Sequence, residues 1–212
     1  MVITWYGQSC FKIQSGETAL FTDPFCKEIG LTPPRGAANV VTISHQHKDH
    51  NNYDALTGEP LIIKGPGEYE TKGISIKGIL SFHDNKEGKE RGTNTIYVIE
   101  VEGIKICHLG DLGEEKLNDE QVEEINGVDI LMIPVGGTFT INGEDAVEII
   151  NQIEPRLVIP MHYKIPGLAT KLDGVDVFLK EMGISKKEAV DKLTLKKKEL
   201  PQEDMEVIIM RI

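Results

Sequence analysis

The chain has 212 residues with 34 acidic and 23 basic side chains, and its net charge of −11 disfavours broad binding to nucleic-acid phosphates. Its three cysteines are an odd number without a CxxC pair, which excludes a disulfide framework and favours a reducing compartment. No apolar run approaches the roughly 20 residues of a membrane span, and the N-terminus shows no secretory signal, so we expect a cytoplasmic protein that does not bind membranes.

The first half of the chain predicts short β-strands joined by tight turns. Residues 39–44, NVVTIS, are β-branched and nearly all apolar, as in a strand buried on both faces. Glu102 and Gly103 predict a hairpin turn between two later strands. The other strands predicted here are VITWYG, SCFKIQS, TALFTD, PLIIK (60–64), GISIKGIL (73–80), NTIYVIEV (94–101) and IKICHL (104–109).

The second half alternates strands with amphipathic helices. Asn118 predicts the start of a helix, with Gln121 as its partner in a capping box. A second helix follows from the apolar spacing of residues 146–153, and a third helix is predicted to end at Gly183. The strands predicted in this half are VDILMIP (128–134), RLVIP (156–160) and the closing MEVIIMRI, while KKEAVDKL stays open between helix and strand.

A strand-rich half followed by alternating strands and helices predicts one α/β domain over residues 1–212. Two β-sheets packed face to face, with helices on their outer faces, would bury these apolar patterns in one body. The chain shows no repeat, low-complexity segment or linker that would divide it.

ISHQHKDH, residues 43–50, is the strongest functional signal. It holds three of the six histidines and an aspartate, which are poor core side chains but good ligands for divalent metals. His45 and His47 are two residues apart at the end of a predicted buried strand, so we expect both to point to the same side. Asp49 and His50 follow where the chain turns back over the strand tip. The stretch is predicted to serve two adjacent metal positions.

Three further candidate ligands follow later predicted strands. His83 comes after GISIKGILSF, Asp111 after IKICHLG and His162 after RLVIP. Taken alone, each has an ordinary alternative as a hydrogen-bonded histidine or a turn aspartate. Ligands at the tips of successive strands are nevertheless what a site at a sheet edge requires, and the HxHxDH cluster favours that interpretation for all three.

The order of these motifs resembles the metallo-β-lactamase superfamily over almost the whole chain. TDPF (22–25) precedes HxHxDH, GD (110–111) follows a hairpin, and IPMHY (159–163) follows a late strand. WYGQSCFKI, FTDPF, GPGEYE and IPMHYK are most similar to a branch of Zn-dependent hydrolases that includes the L-ascorbate-6-phosphate lactonases. The resemblance implies a four-layer αββα sandwich, an α/β (α+β) fold, with a two-metal site at one edge.

The resemblance also implies how the residues share the metals, which we expect to be two zinc ions per chain, with manganese or iron as alternatives. One ion is expected on His45, His47 and His83. The other is expected on Asp49, His50 and His162, with Asp111 bridging the two. Asp23 is predicted to brace the loop that carries the ligands, and His108 to lie behind them.

Two differences from better-known members of the family narrow the range of substrate classes. The surroundings of His83 differ from those in glyoxalase-II-like thioesterases, which disfavours a glutathione thioester. The basic arm of the tRNA-processing nucleases is absent. Gly7-Gln8 stands where many relatives have Gly-His, but that position is not a ligand.

The predicted activity is hydrolysis of a small, anionic, ester-type substrate such as a lactone or a phosphodiester. Two metals about 3.5–4 Å apart would lower the pKa of a shared water and hold it as a hydroxide nucleophile. Asp49 and Asp111 are the predicted catalytic carboxylates, and the resemblance implies that Asp49 accepts the proton left after attack. Candidates to steady the substrate, each with an ordinary structural alternative, are His108, Tyr163, Lys164 and Thr138.

The main alternative is an iron-dependent oxidoreductase on the same fold. A histidine at position 47, rather than a glutamate, argues against the di-iron flavoprotein relatives, but a mononuclear-iron dioxygenase uses the same ligand types. A metal-binding protein without catalysis is a third possibility.

Overall fold

The computed structural model describes residues 1–212, which form fifteen strands and three α-helices. In chain order the strands are β1 (Val2–Gly7), β2 (Cys10–Ser15), β3 (Thr18–Thr22), β4 (Val40–Thr42), β5 (Leu61–Ile63), β6 (Gly67–Thr71), β7 (Ile74–Phe82), β8 (Thr93–Val101), β9 (Ile104–His108), β10 (Ile130–Pro134), β11 (Leu157–Met161), β12 (Ala189–Val190), β13 (Leu193–Thr194), β14 (Glu206–Val207) and β15 (Ile209–Met210). The helices are α1 (Asp119–Ile125), α2 (Gly143–Ile153) and α3 (Val175–Glu181).

Most strands belong to two large sheets. The first has the order β13-β1-β2-β3-β4-β5, antiparallel up to β3 and parallel from β3 to β5. The second has the order β14-β11-β10-β9-β8-β7-β6, parallel up to β9 and antiparallel beyond it. Since neighbouring parallel strands end at the same edge of a sheet, the segments after β3 and β4, and those after β9 and β11, are brought to common edges.

A core of 51 buried residues joins both large sheets and the helices. Alternation along the strands directs Leu20 and Val40 of the first sheet into this core, where Ile106 of the second sheet also lies. Their neighbours Phe21 and Val41 belong to a smaller cluster on the opposite face, which Leu56 from a connecting segment helps to close. Each such fully buried side chain contributes roughly 1.5–3 kcal/mol to folding.

The helices begin and end where local sequence signals place them. Asn118 and Gln121 form the predicted capping box at the start of α1, since each side chain accepts from the other's backbone N–H at 2.9 Å. Helix α2 buries its predicted apolar face against β10 and also contacts α1 and α3. Gly183 follows α3 with φ of +69°, a conformation that glycine adopts without strain. No helix of the chain has the length and apolar character needed to cross a bilayer.

The α/β class and the two-sheet sandwich are confirmed, with differences near the strand ends. Strand β6 begins within GPGEYE and ends at Thr71, where no strand was predicted. The closing segment is two short strands rather than one: β14 pairs with β11, and β15 then pairs with β12 in a separate small sheet. The open segment KKEAVDKL contains β12 and the start of β13, so it is not helical. Strand β4 ends at Thr42, so His45 and His47 lie in the following loop and not at a strand end.

Candidate metal centre

The predicted ligands meet at one edge of the two sheets. The loop after β4 carries His45, His47, Asp49 and His50, while the other three follow separate strands of the second sheet. His83 comes directly after β7, Asp111 lies three residues after β9, and His162 comes directly after β11. Strands β7, β9 and β11 run in the same direction, so their carboxyl ends reach the same edge.

One oxygen of Asp111 is the centre of the cluster. Its Oδ2 atom lies 3.2 Å from Nε2 of both His50 and His162. The same oxygen is 3.6 Å from Nε2 of His83 and 4.0 Å from Nε2 of His45. A single carboxylate therefore faces histidines from all the segments that contribute to the site.

Two overlapping groups of ligand atoms surround this carboxylate. Nitrogens of His45, His47 and His83 lie within 4.8 Å of one another, and their ring centroids are 4.6–5.2 Å apart. His45 and His50 converge with Asp111 in a second group of the same size. Asp49 joins the second group from the rim, because its Oδ2 atom is 3.5 Å from Nε2 of His50.

The donor set fits a transition-metal ion. Nε2 of His45 and of His50 are buried and make no hydrogen bond of good geometry, although a buried polar atom without a partner is costly. The other ring nitrogen of each histidine has a partner within the protein. Nδ1 of His45 lies 2.9 Å from Oγ of Ser44, and Nδ1 of His50 lies 3.2 Å from Oδ2 of Asp23. Such partners are usual for histidines that bind metals. Imidazole and carboxylate ligands suit zinc, manganese and iron, so the residues alone do not choose among them.

Burial and mutual charge set the protonation of the cluster. Burial opposes ionisation of Asp111, but His162 and His50 hold its pKa well below the ordinary range. Burial also disfavours the charged form of His50, yet Asp111 and Asp23 hold the pKa of this imidazole well above 6.5. Burial, with the charge of His50, lowers the pKa of His45 to about 3. Asp111 and His45 are thus in the forms that bind metals, whereas His50 must release a proton to do so.

Asp23 braces the loop that carries the HxHxDH residues. Its carboxylate accepts from the backbone N–H of Ser44 at 2.7 Å and from the Ser44 hydroxyl at 2.6 Å. Oδ2 of Asp23 also lies 3.2 Å from Nδ1 of His50. Asp23 and His162 have φ of +40° and +51°, in the left-handed region that non-glycine residues rarely adopt. Backbone strain of this kind persists where surrounding contacts impose it.

His108 lies behind the cluster and does not reach the substrate side. The residue is fully buried, and its Nε2 atom donates to the backbone carbonyl of Ser9 at 2.8 Å. Its Nδ1 atom accepts from the N–H of Gly110 at 3.3 Å, which fixes the tautomer. The Ser9 hydroxyl in turn donates to Oδ1 of Asp111 at 3.1 Å. Both ring nitrogens of His108 are thus occupied within the protein, which favours its predicted place behind the ligands over a role in steadying the substrate.

Tyr163 and Lys164, two further candidates to steady the substrate, make hydrogen bonds to backbone carbonyls. Tyr163 is buried, and its hydroxyl donates to the carbonyl of Met210 at 3.2 Å. Nζ of Lys164 donates to the carbonyls of Leu168 and Thr170. Thr138 alone lines the cavity that opens over the cluster.

Glycines allow the ligand-bearing segments to approach each other. A Cβ on Gly110, which has φ of +58°, would lie 2.6 Å from the Cβ of Ser44. A Cβ on Gly136 would lie 2.0 Å from the backbone carbonyl oxygen of His162. Neither distance is compatible with a side chain, so the close approach of these two glycines to their neighbours helps to hold the Asp111 and His162 segments in place.

A cavity of about 730 Å³ gives access to the cluster. His47, Asp49 and Asp111 form part of its wall, as do His83 and His162. Cavity residues that the sequence did not indicate are Gln8 as a wall residue, Glu90, Arg91, Phe139, Ala169, Thr170 and Lys171. Arg91 and Lys171 lie outside any recognisable motif, and no local pattern signals that they share a cavity with HxHxDH.

Comparison with known proteins places the chain in a family. The sequence model of the family described as beta-lactamase superfamily domain matches residues 2–162. The crystal structure of a protein described as a Zn-dependent hydrolase of the metallo-beta-lactamase superfamily, from Thermotoga maritima, is similar with a TM-score of 0.80 and 40% identity, covering 99% of this chain and 98% of that one.

Two further relatives add to this likeness. A UPF0173 metal-dependent hydrolase from Thermoplasma volcanium is 28% identical over 187 residues, 76% of this chain and 82% of the relative. Another from Thermococcus onnurineus is 29% identical over 189 residues, 76% of this chain and 84% of the relative. The chain belongs to the metallo-β-lactamase superfamily and is one of its metal-dependent hydrolases, which confirms the family predicted from the motifs.

Proposed function

We propose that the protein hydrolyses a small, anionic, ester-type substrate, such as a lactone or a phosphodiester, with two divalent metal ions of which zinc or manganese is favoured. The observation that carries this proposal is the position of Asp111, whose Oδ2 atom lies within 4.0 Å of nitrogens from four histidines, three of which belong to the two overlapping ligand groups. A carboxylate so placed suits a bridge between two cations.

In this proposal His45, His47 and His83 hold one ion, and Asp49, His50 and His162 hold the other, with Asp111 shared. Bound divalent ions would supply Lewis acidity, which lowers the pKa of water and stabilises negative charge that develops on oxygen. Supporting this division, the first three histidines converge on one point, while His50 and His162 are both 3.2 Å from the Asp111 oxygen.

Asp49 is proposed to accept the proton released during hydrolysis. It lies on the wall of the cavity, and its side chain is about a third exposed, unlike that of Asp111. Burial opposes its ionisation, but the adjacent His50 holds the pKa of this carboxyl below its ordinary range. Asp49 is thus a carboxylate at neutral pH, which a proton acceptor must be.

The cavity supports a small substrate. Its volume of about 730 Å³ lies within the range of roughly 300–1,000 Å³ that is usual for small-molecule sites. We further propose that residues 1–212 fold as one domain, since one core of 51 residues joins both sheets. A cytoplasmic location is also proposed, because Cys10 and Cys107 are buried, free thiols.

The test begins with the metal. Protein purified without added metals is analysed for its elements, then stripped with a chelator and reloaded separately with zinc, manganese or ferrous iron. Each form is assayed on a panel of lactones, phosphodiesters and thioesters. We expect up to two ions per chain and ester hydrolysis that zinc or manganese restores without oxygen uptake. Absence of metal uptake would refute the proposal, and oxygen consumption that returns only with ferrous iron would favour the oxidoreductase alternative.

A further inference from the structure

The loop of residues 84–92, called here the Asp84 loop, is organised around one carboxylate. Oδ1 of Asp84 accepts from the backbone N–H groups of Lys86 and Gly88 at 2.8 and 2.9 Å. Oδ2 accepts from those of Glu90 and Arg91 at 2.9 and 2.7 Å. Four backbone N–H groups of the loop thus converge on this one side chain, which fixes the course of the loop up to Arg91.

The Asp84 loop places Arg91 at the rim of the cavity. One terminal nitrogen of its guanidinium donates to the carbonyl of Phe139 at 3.0 Å, and the other donates to the carbonyl of Thr138 at 3.2 Å. The guanidinium also lies 5.1 Å from the centroid of the Phe139 ring. The side chain is therefore oriented in advance by a second loop, and two of its five N–H donors are occupied, leaving three available.

The charge of Arg91 is not neutralised by any carboxylate. Neither Arg91 nor Lys171, the second cation of the cavity wall, takes part in an ion pair within 4.0 Å. The adjacent acidic residue, Glu90, also lines the cavity, but its carboxylate is paired with Lys86 at 2.5 Å. In a chain of net charge −11, two unpaired cations beside one cavity form a local site that attracts anions.

We propose that Arg91, assisted by Lys171, binds a carboxylate or phosphate group of the substrate, while the scissile ester faces the histidine and aspartate cluster. This subsite rests on the proposed hydrolytic function and specifies its substrate class: a small ester that carries a separate anionic group. A guanidinium held in one orientation recognises the planar or tetrahedral oxygens of such groups better than a mobile ammonium does.

The test measures anion binding apart from catalysis. Succinate, inorganic phosphate and the neutral succinamide are titrated by calorimetry into the metal-loaded wild type and into the variants Arg91→Gln, Arg91→Lys and Lys171→Gln. Arg35→Gln is the matched control, since Arg35 is an exposed arginine outside the cavity wall and its loss changes the net charge equally. Melting temperatures establish that each variant is folded.

We expect Arg91→Gln to weaken binding of succinate or phosphate by roughly 10–100-fold, the usual effect of losing hydrogen bonds to a charged group. Lys171→Gln should weaken it several-fold, Arg91→Lys should recover part of the loss, and Arg35→Gln should leave binding unchanged. Whichever of the two anions shows the larger dependence on Arg91 identifies the group that the subsite prefers.

Three results would contradict the proposed subsite. The first is a wild type that binds neither anion, and the second is an Arg91→Gln variant whose anion binding is unchanged. The third is an Arg91→Gln variant that loses binding of the anions and of succinamide equally and has a lowered melting temperature. The third result would mean that Arg91 only holds the two loops together. If anion binding depends on Arg91 but no ester in the panel is cleaved, the subsite stands and the proposed hydrolysis is the part that fails.

Discussion

Ser9 and Asp111 share a 3.1 Å hydrogen bond that occupies only one of the two carboxylate oxygens. The Ser9 hydroxyl holds Oδ1, and the N–H of Asp111 donates to the Asn94 side chain at 3.0 Å. Oδ2 is left facing the histidines, so the carboxylate is oriented before any cation binds. Orientation of this kind reduces the cost of organising a metal site, because fewer torsions have to be fixed on binding.

Replacing Asp111 by asparagine should remove metal binding and hydrolysis while leaving the fold intact. The change removes one negative charge from a point within 4.0 Å of four histidine nitrogens. We expect a loss of metal affinity above the roughly 10–100-fold that is typical of residues behind the ligands. Elemental analysis and ester assays measure the effect, and far-UV circular dichroism reports the fold. Full hydrolysis by Asp111→Asn would refute a bridging role.

Replacing Asp23 by asparagine should have a smaller effect. Asp23 does not face the ligand atoms, but it accepts two hydrogen bonds from Ser44 and contacts Nδ1 of His50. An amide offers one acceptor oxygen in place of two, so the loop loses part of its support. We expect metal affinity or activity to fall roughly 10–100-fold. Asp204→Asn, at an exposed position, is the control, and an equal loss in that variant would contradict the bracing role.

Removal of metal should lower the thermal stability of the wild type. A ligand that binds only the folded state at a thousand times its Kd adds about 4 kcal/mol. For a chain of this length, each kcal/mol changes Tm by about 2–4 °C, so we expect a decrease of about 10 °C with chelator. Zinc or manganese should restore the Tm of the wild type but change that of Asp111→Asn far less. Identical melting curves with and without chelator would contradict a resident metal.

The metal-free protein should lose stability below pH 6.5 partly through His108. Burial, together with the charge of His50, lowers the pKa of His108 in the folded state below its ordinary value of 6.5. The unfolded chain therefore takes up a proton that the folded chain excludes. The free energy of unfolding should then fall by up to about 1.4 kcal/mol per pH unit as the pH drops below 6.5.

His108→Gln tests this contribution, because glutamine removes the imidazole that takes up the proton and leaves the other histidines in place. Denaturant unfolding between pH 8 and pH 5 should give a flatter profile for the variant, even if glutamine lowers stability at every pH by losing the bond to Ser9. Parallel profiles would show that His108 does not contribute to the pH dependence.

Local signals predicted the fold well, and long-range pairing accounts for the differences. The capping box at Asn118 and the apolar face of α2 depend on residues three or four apart, so they can be read from the sequence. Strand β6 is polar and largely exposed, which gives it no apolar alternation. The closing segment changes its partner strand from β11 at Val207 to β12 at Ile209. Both partners are distant in sequence, so no local pattern predicts this change.

The same distinction applies to the candidate site. HxHxDH concentrates four ligand candidates in six residues, and strand-end positions suggested His83, Asp111 and His162, which the structure brings to one place. The position of Arg91 depends on carbonyls of a loop almost fifty residues later along the chain, so no motif contains it. His108 was a poor candidate for substrate contact because the carbonyl that occupies it belongs to Ser9, far away in sequence.

The proposed metal ligands lie in segments that are synthesised at very different times during translation. The HxHxDH loop emerges with the first quarter of the chain, whereas His162 follows β11 and emerges only when most of the second sheet has been made. A nascent chain thus presents His45 and His47 without the carboxylate and the histidines that complete the site. Since metal affinity arises from folding of the complete set, we expect tight metal binding only after the second sheet has formed.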